Sequence, residues 1–197
     1  MERLILARHA ETDWNVRKLV NGVPSTPVVL SAKGREEARR LGAELADEPI
    51  DVCVVTPFPR TRETAMLALA GRDVPLIEVD ELRDPFYGDF EGGALEEYRG
   101  WARSRRSSEA PPGGGEARAP IVARYVVGFR RLLELPQRSA LAVLHSLPVA
   151  YALAAREGRC PEPRAELVRN AHAYPFTRAE LEAVVELLEQ WCASPSW

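Results

Sequence analysis

Arg3-Leu4-Ile5-Leu6-Ala7-Arg8-His9-Ala10-Glu11-Thr12-Asp13-Trp14-Asn15 is the stretch on which the fold turns. Its apolar run, Leu4 to Ala7, ends on an adjacent arginine and histidine, as a buried strand does when it delivers polar side chains to its C-terminal edge. Open α/β sheets bind ligands at that edge. A histidine there can act as a nucleophile and an arginine can clamp an anion, so the pair points to phosphate chemistry.

Working outward, three further segments, 50–56, 75–79 and 140–145, are short, apolar and flanked by turn formers or helical patterns, which predicts buried strands. Between them, 31–46 places Ala38, Leu41, Gly42, Leu45 and Ala46 on one face behind a Ser31 N-cap, and 60–70 forms a second helix. Helices are also predicted over 94–106 and 121–135. The stretch 107–119, with its Pro-Pro-Gly-Gly-Gly, reads as irregular and mobile. Thr177-Arg178-Ala179-Glu180 is a capping box that opens a last helix with Leu181, Val184, Val185, Leu188 and Trp191 on one stripe. The expected fold class is α/β: one domain spanning 1–197, a three-layer sandwich with a mostly parallel central sheet, helices on both faces and a small lid insertion at about 93–119.

Composition narrows the function. A chain of 197 residues, 46% hydrophobic, can bury a full core, and a net charge of -3 argues against a nucleic-acid surface. Any basic site must therefore be local. Of the 26 basic residues only Lys18 and Lys33 are lysines, a bias that compositional drift toward arginine, alanine and proline explains first. Cys53, Cys160 and Cys192 make no metal-ligand spacing, and their odd number suits a reducing, cytoplasmic compartment. No signal peptide is visible, and 139–155, the longest stretch without formal charge, is shorter than the ~20 residues of a membrane span.

Two of the three histidines, His9 and His145, close predicted strands, and a parallel sheet opens both onto one edge. Arg60 falls in the first turn of the helix after the second strand, beside unpaired backbone N–H groups. The loop after the third strand carries Glu81, Asp84, Asp89 and Glu91, any of which could supply the general acid that a leaving alkoxide needs. Spacing does not choose among them. Phe86, Tyr87, Phe90, Tyr98 and Trp101 could form an apolar lid over the leaving group or pack into the core.

These blocks, in this order, resemble the histidine phosphatase superfamily in its phosphoglycerate-mutase-like branch. Arg8-His9-Ala10-Glu11-Thr12 is similar to the family's Arg-His-Gly signature, and Thr56-Pro57-Phe58-Pro59-Arg60-Thr61-Arg62-Glu63-Thr64-Ala65 to its second arginine block. Leu82-Arg83-Asp84 through Glu91-Gly92 resembles the acid-bearing loop, whose register puts the proton donor on Asp84, where the family has glutamate. Gly115-Glu116 with Arg124 resembles the Gly-Glu-Ser segment and its helix, and Leu144-His145-Ser146 the second histidine. The resemblance runs from about residue 3 to 155. Ala10 and Ser146 replace glycines, and Ser146 could cap the helix that Leu147 and Pro148 begin.

The resemblance implies a covalent route: His9 attacks phosphorus, Arg8, Arg60 and His145 surround the equatorial oxygens, and Asp84 donates to the leaving oxygen and later activates water. Asn15 and the backbone near Gly22 are implied to hydrogen-bond the phosphate, with Ser146 beside them on the substrate. Neither a metal nor a cofactor is required. The expected partner is a small phosphorylated metabolite, with no nucleic acid and no membrane, and a homodimer is a compatible assembly. Two alternatives are a phosphoglycerate mutase, for which basic residues should follow the acid where Pro85 and Phe86 stand, and a catalytically silent phosphate-binding relative.

Overall fold

The computed structural model describes residues 1–166 and 168–197. β1 (Arg3–Arg8), β2 (Val52–Val55), β3 (Leu76–Glu78) and β4 (Ser139–Leu144) coincide with the expected strands to within two residues at each end. The sheet order is β3-β2-β4-β1, continued by a further strand, β5 (Tyr174–Thr177). The first four strands run parallel and β5 pairs antiparallel to β1. β5 was not expected from the sequence: it is four residues long, and Pro175 interrupts its donors, which only an edge strand tolerates.

Side chains alternate between two buried faces, as a pleated strand covered on both sides requires. Leu4, Leu6, Val52, Val54, Ala142 and Leu144 enter one core cluster, and Ile5, Ala7, Cys53, Val55, Leu141 and Val143 enter the other. Behind α1 (Asp13–Arg17), a single turn near the first strand, α2 (Ala32–Glu44) and α3 (Pro59–Ala68) cover the second cluster. α4 (Leu95–Ala102) lies in the predicted lid segment. α5 (Arg118–Leu133), α6 (Ser146–Arg156) and α7 (Arg178–Ala193) cover the first cluster. The three-layer single domain follows.

The helix ends repay a local reading. The Ser31 hydroxyl accepts from the Gly34 N–H at 2.9 Å, and Thr177 and Glu180 form the reciprocal capping box. α5 begins three residues earlier than its apolar stripe suggests, because Pro120 lies in the first turn, where its missing N–H has no helical acceptor to satisfy. Ser146 does not cap α6: His145 occupies that position, and no side chain accepts there. The 107–119 stretch, expected to be mobile, is a tethered turn in which Asp89 N–H donates to Pro112 O at 2.8 Å and Ala119 N–H to Ser107 O at 2.8 Å. Among the described residues, no helix is long and apolar enough to cross a membrane. Over the C-terminal ends of β1 and β4 opens a cavity of about 710 Å³.

Candidate active site

β1 and β4 are neighbours whose register sets Arg8 opposite Leu144. His9 and His145 therefore each stand one residue past a paired position, side by side at the crevice where strand order reverses. Their ring centroids are 5.5 Å apart, and the His9 N–H donates to Leu144 O at 2.8 Å. Nδ1 of His9 lies 2.8 Å from the Ala10 carbonyl. A carbonyl only accepts, so Nδ1 carries the hydrogen and Nε2 keeps its lone pair. Burial pushes the His9 pKa well below the ordinary histidine value, and Arg60 and Arg8 push the same way, so the ring is neutral.

Two guanidinium groups flank this ring. Arg8 donates to Val168 O at 2.9 Å, while its buried Nε meets no acceptor among the described residues and is left as a donor for an incoming anion. Arg60, 4% exposed on the first turn of α3, lies over the Phe58 ring and donates to both the Asn21 side chain (2.7 Å) and the Asn21 backbone O (3.1 Å). Thr64 ties the two loops together: its hydroxyl donates to Arg60 O at 2.7 Å and accepts the Ala10 N–H at 3.1 Å.

Asp84 closes the arrangement. One carboxylate oxygen sits 2.7 Å from Arg60 and 3.0 Å from Nδ1 of His145. Although burial opposes ionisation, His145 and Arg60 hold the Asp84 carboxyl well below the usual carboxylate range. Nδ1 of His145 thus carries a proton toward Asp84, and Nε2 accepts from the Thr56 hydroxyl at 2.8 Å. Burial lowers the His145 pKa to about 4 against the pull of Asp84, so the imidazole is a neutral donor. The Asp84 oxygen occupies the point on which Arg60 and His145 converge, the place a phosphate oxygen would take.

A model of the histidine phosphatase superfamily (branch 1) matches residues 4–189. The chain belongs to that superfamily. Its relatives include the uncharacterized phosphatase PhoE of Bacillus subtilis, 29% identical over 87% of this chain and 86% of its own length. They also include a 2,3-bisphosphoglycerate-dependent phosphoglycerate mutase of Methylobacterium, 35% identical over 64% of this chain and 65% of the mutase. The crystal structure of an alpha-ribazole phosphatase from Shigella flexneri superposes with a TM-score of 0.69 at 25% identity, covering 88% of this chain and 89% of that one. In this superfamily of phosphatases and mutases the catalytic nucleophile is histidine.

Within this histidine phosphatase, Arg8, His9, Arg60 and Asp84 line one cavity with Asn15 and Ser146, and His145 lies directly behind them. The Asn15 carbonyl oxygen is occupied in capping α1 through Thr12 N–H, leaving its Nδ2 as the group that can face a phosphate. Gly22 departs from the expectation. Its N–H is held by both oxygens of Glu91 at 3.0 and 2.9 Å and does not face the cavity. Its lack of a side chain serves contact instead, since a Cβ there would lie 2.0 Å from Pro85 O. Of the four loop carboxylates, Glu81 is turned away to Arg131 at 2.6 Å, Glu91 to Gly22 and Tyr87, and Asp89 lies against Gly113, while Asp84 is the one that reaches His145.

Several contributors were not singled out from sequence: Asn21 and Thr56, which orient Arg60 and His145; Thr64; and Asn170, whose Nδ2 donates to His9 O at 2.8 Å. Thr56 directly follows β2 and Thr64 lies one helical turn beyond Arg60, positions that do aim at the same edge. Of the aromatic residues, Tyr87 and Tyr98 line the cavity, while Phe90 and Trp101 pack against Tyr98 from behind. His9, Asp84 and His145 bring one ligand atom each within 4.8 Å of one another, a spacing a metal ion could use. Arg60 on the same Asp84 oxygen and Arg8 beside it make that point attractive to an oxyanion and repulsive to a cation.

Proposed function

We propose that this chain hydrolyses a small phosphomonoester through a phosphohistidine on His9, without a metal. The observation that carries this reading is the His9 ring itself, neutral and held by Ala10 so that Nε2 offers its lone pair beside a site already occupied by an anionic oxygen. In the first step Nε2 attacks phosphorus, the N–P bond forms and the P–O bond to the alcohol breaks, and Asp84 gives its proton to the departing oxygen. In the second, Asp84 takes a proton from water, which attacks phosphorus and releases His9 and inorganic phosphate.

Paired with Arg60 and His145, Asp84 is ionised, yet the first step needs it protonated. The substrate resolves this. A phosphate dianion takes over Arg60 and His145, leaving the Asp84 carboxylate without its cationic partner and beside two negative charges, which drives it to bind a proton. Arg8, Arg60 and the His145 N–H then stabilise the spreading charge, worth ~10²- to 10³-fold per well-placed donor.

Hydrolysis is favoured over mutase chemistry because Pro85 and Phe86, not basic residues, follow Asp84. The three free cysteines support a cytoplasmic setting. The purified protein is expected to release phosphate from p-nitrophenyl phosphate in the presence of EDTA, and His9→Ala to abolish that release. Unchanged hydrolysis by His9→Ala would overturn covalent catalysis. An inactive wild type that binds phosphate esters would establish the silent relative instead.

A further inference from the structure

The cavity contains a further cation that phosphoryl transfer does not use. Arg118, the first residue of α5, lines it from the lid side. A partly buried guanidinium ordinarily has a carboxylate partner: in this cavity Arg60 holds Asp84 at 2.7 Å, while Arg8, the other buried one, donates to Val168 O and keeps its Nε for the transferred phosphate. Arg118 has no carboxylate partner among the described residues. Its contacts are two phenol hydroxyls, Tyr151 at 3.2 Å and Tyr98 at 3.4 Å. Both bonds are long for a charged donor. The carboxylate nearest in sequence, Glu116, is engaged elsewhere, by Arg124 at 3.1 Å, Arg83 at 3.3 Å and the Phe86 N–H at 2.8 Å.

Position gives this cation a meaning. Tyr98 meets the Tyr87 ring edge-on with centroids 4.7 Å apart, and Tyr87 lies three residues beyond Asp84 in the same loop. Arg118 is therefore on the proton donor's side of the cavity, the side on which the alcohol departs. Six arginines and four carboxylates line this cavity in a chain whose net charge is -3. One of those carboxylates is Asp84, which gives up its site to the substrate.

We propose that Arg118, with the Tyr98 and Tyr151 hydroxyls, forms a second anion subsite, and that the preferred substrate is a phosphomonoester whose leaving alcohol carries a further anionic group. This rests on the hydrolase reading above. The guanidinium fork exchanges two weak neutral acceptors for an oxyanion, and the freed phenols can donate to the same group. A carboxylate and a second phosphate share this chemistry.

The test compares three esters with a common three-carbon chain: n-propyl phosphate, 3-phosphonooxypropanoate and propane-1,3-diyl bisphosphate, with p-nitrophenyl phosphate as a general substrate. Wild type is expected to show kcat/KM about tenfold or more higher for at least one anionic ester than for propyl phosphate, carried by KM. Which ester leads distinguishes carboxylate from phosphate. Arg118→Gln should bring the ratio toward one, and Arg118→Lys should retain most of it. A wild-type ratio near one, or one that Arg118→Gln leaves intact, overturns the subsite while the phosphatase reading stands. Failure to hydrolyse any of the four esters overturns the phosphatase reading and the subsite with it.

Discussion

The proposed mechanism gives Asp84 two roles that its surroundings separate. The structure shows it as an internal anion bound to Arg60 and His145; in the proposed mechanism the substrate phosphate displaces it from them and it becomes the acid. Asp84→Asn separates the two. The variant is expected to lose about 10²- to 10⁴-fold in hydrolysis of alkyl phosphates, and less for p-nitrophenyl phosphate, whose leaving anion needs little protonation. The same change removes the carboxylate that competes for Arg60, so inorganic phosphate should bind more tightly by calorimetry. Weaker binding would show that Asp84 does not occupy the anion site. The loop after Asp84 is packed closely: Pro85 O lies 2.0 Å from where a Cβ on Gly22 would stand.

At the level of elements, the loop bearing Asp84 is stapled to α5. Arg124 donates to Glu81 O at 2.9 Å and Arg83 O at 3.1 Å, and it holds Glu116, which accepts the Phe86 N–H on the far side of the acid. Arg124→Met leaves acceptors on both flanks without their donor, which should cost about 2–4 kcal/mol of unfolding free energy in urea. If the loop is held by these bonds, turnover of alkyl phosphates falls further than turnover of p-nitrophenyl phosphate; equal losses would mean that Arg124 matters only for stability. Such a brace explains what could be read in advance. His9, Arg60 and His145 were legible because each follows an apolar strand, so periodicity alone carries them to one edge. Asp84 was legible only by resemblance, since its loop offers four carboxylates and their partners lie far away in the chain. The partner of the Gly22 N–H was hidden for the same reason: Glu91, which accepts it, is 69 residues distant. β5 and α1 are too short to show a period, being four and five residues, and they exist through pairing and capping. Nothing in the sequence singles out Arg118, because the tyrosines that hold it are 20 and 33 residues away.

For the molecule as a whole, the two buried imidazoles make stability depend on acid. Both pKa values are lowered on folding, so the unfolded chain binds protons that the folded chain refuses as pH falls below about 6.5. Their stabilising contribution is complete at neutral pH and is lost on acidification, for His145 down to about 4. His145 alone should lower the unfolding free energy by about 2 kcal/mol between pH 7 and pH 5, with His9 adding in the same direction. Urea titrations at the two pH values measure this, and His145→Gln should flatten the slope; an identical slope would remove His145 as its source. The strand order carries one more implication. β4 begins at Ser139, yet it lies between β2 and β1. During synthesis the first two strands must wait, with edges exposed, for a partner made more than a hundred residues after the first. That late strand also brings in His145, so catalytic competence arrives only with closure of the sheet, and a half-made chain can hold neither a finished core nor a working nucleophile.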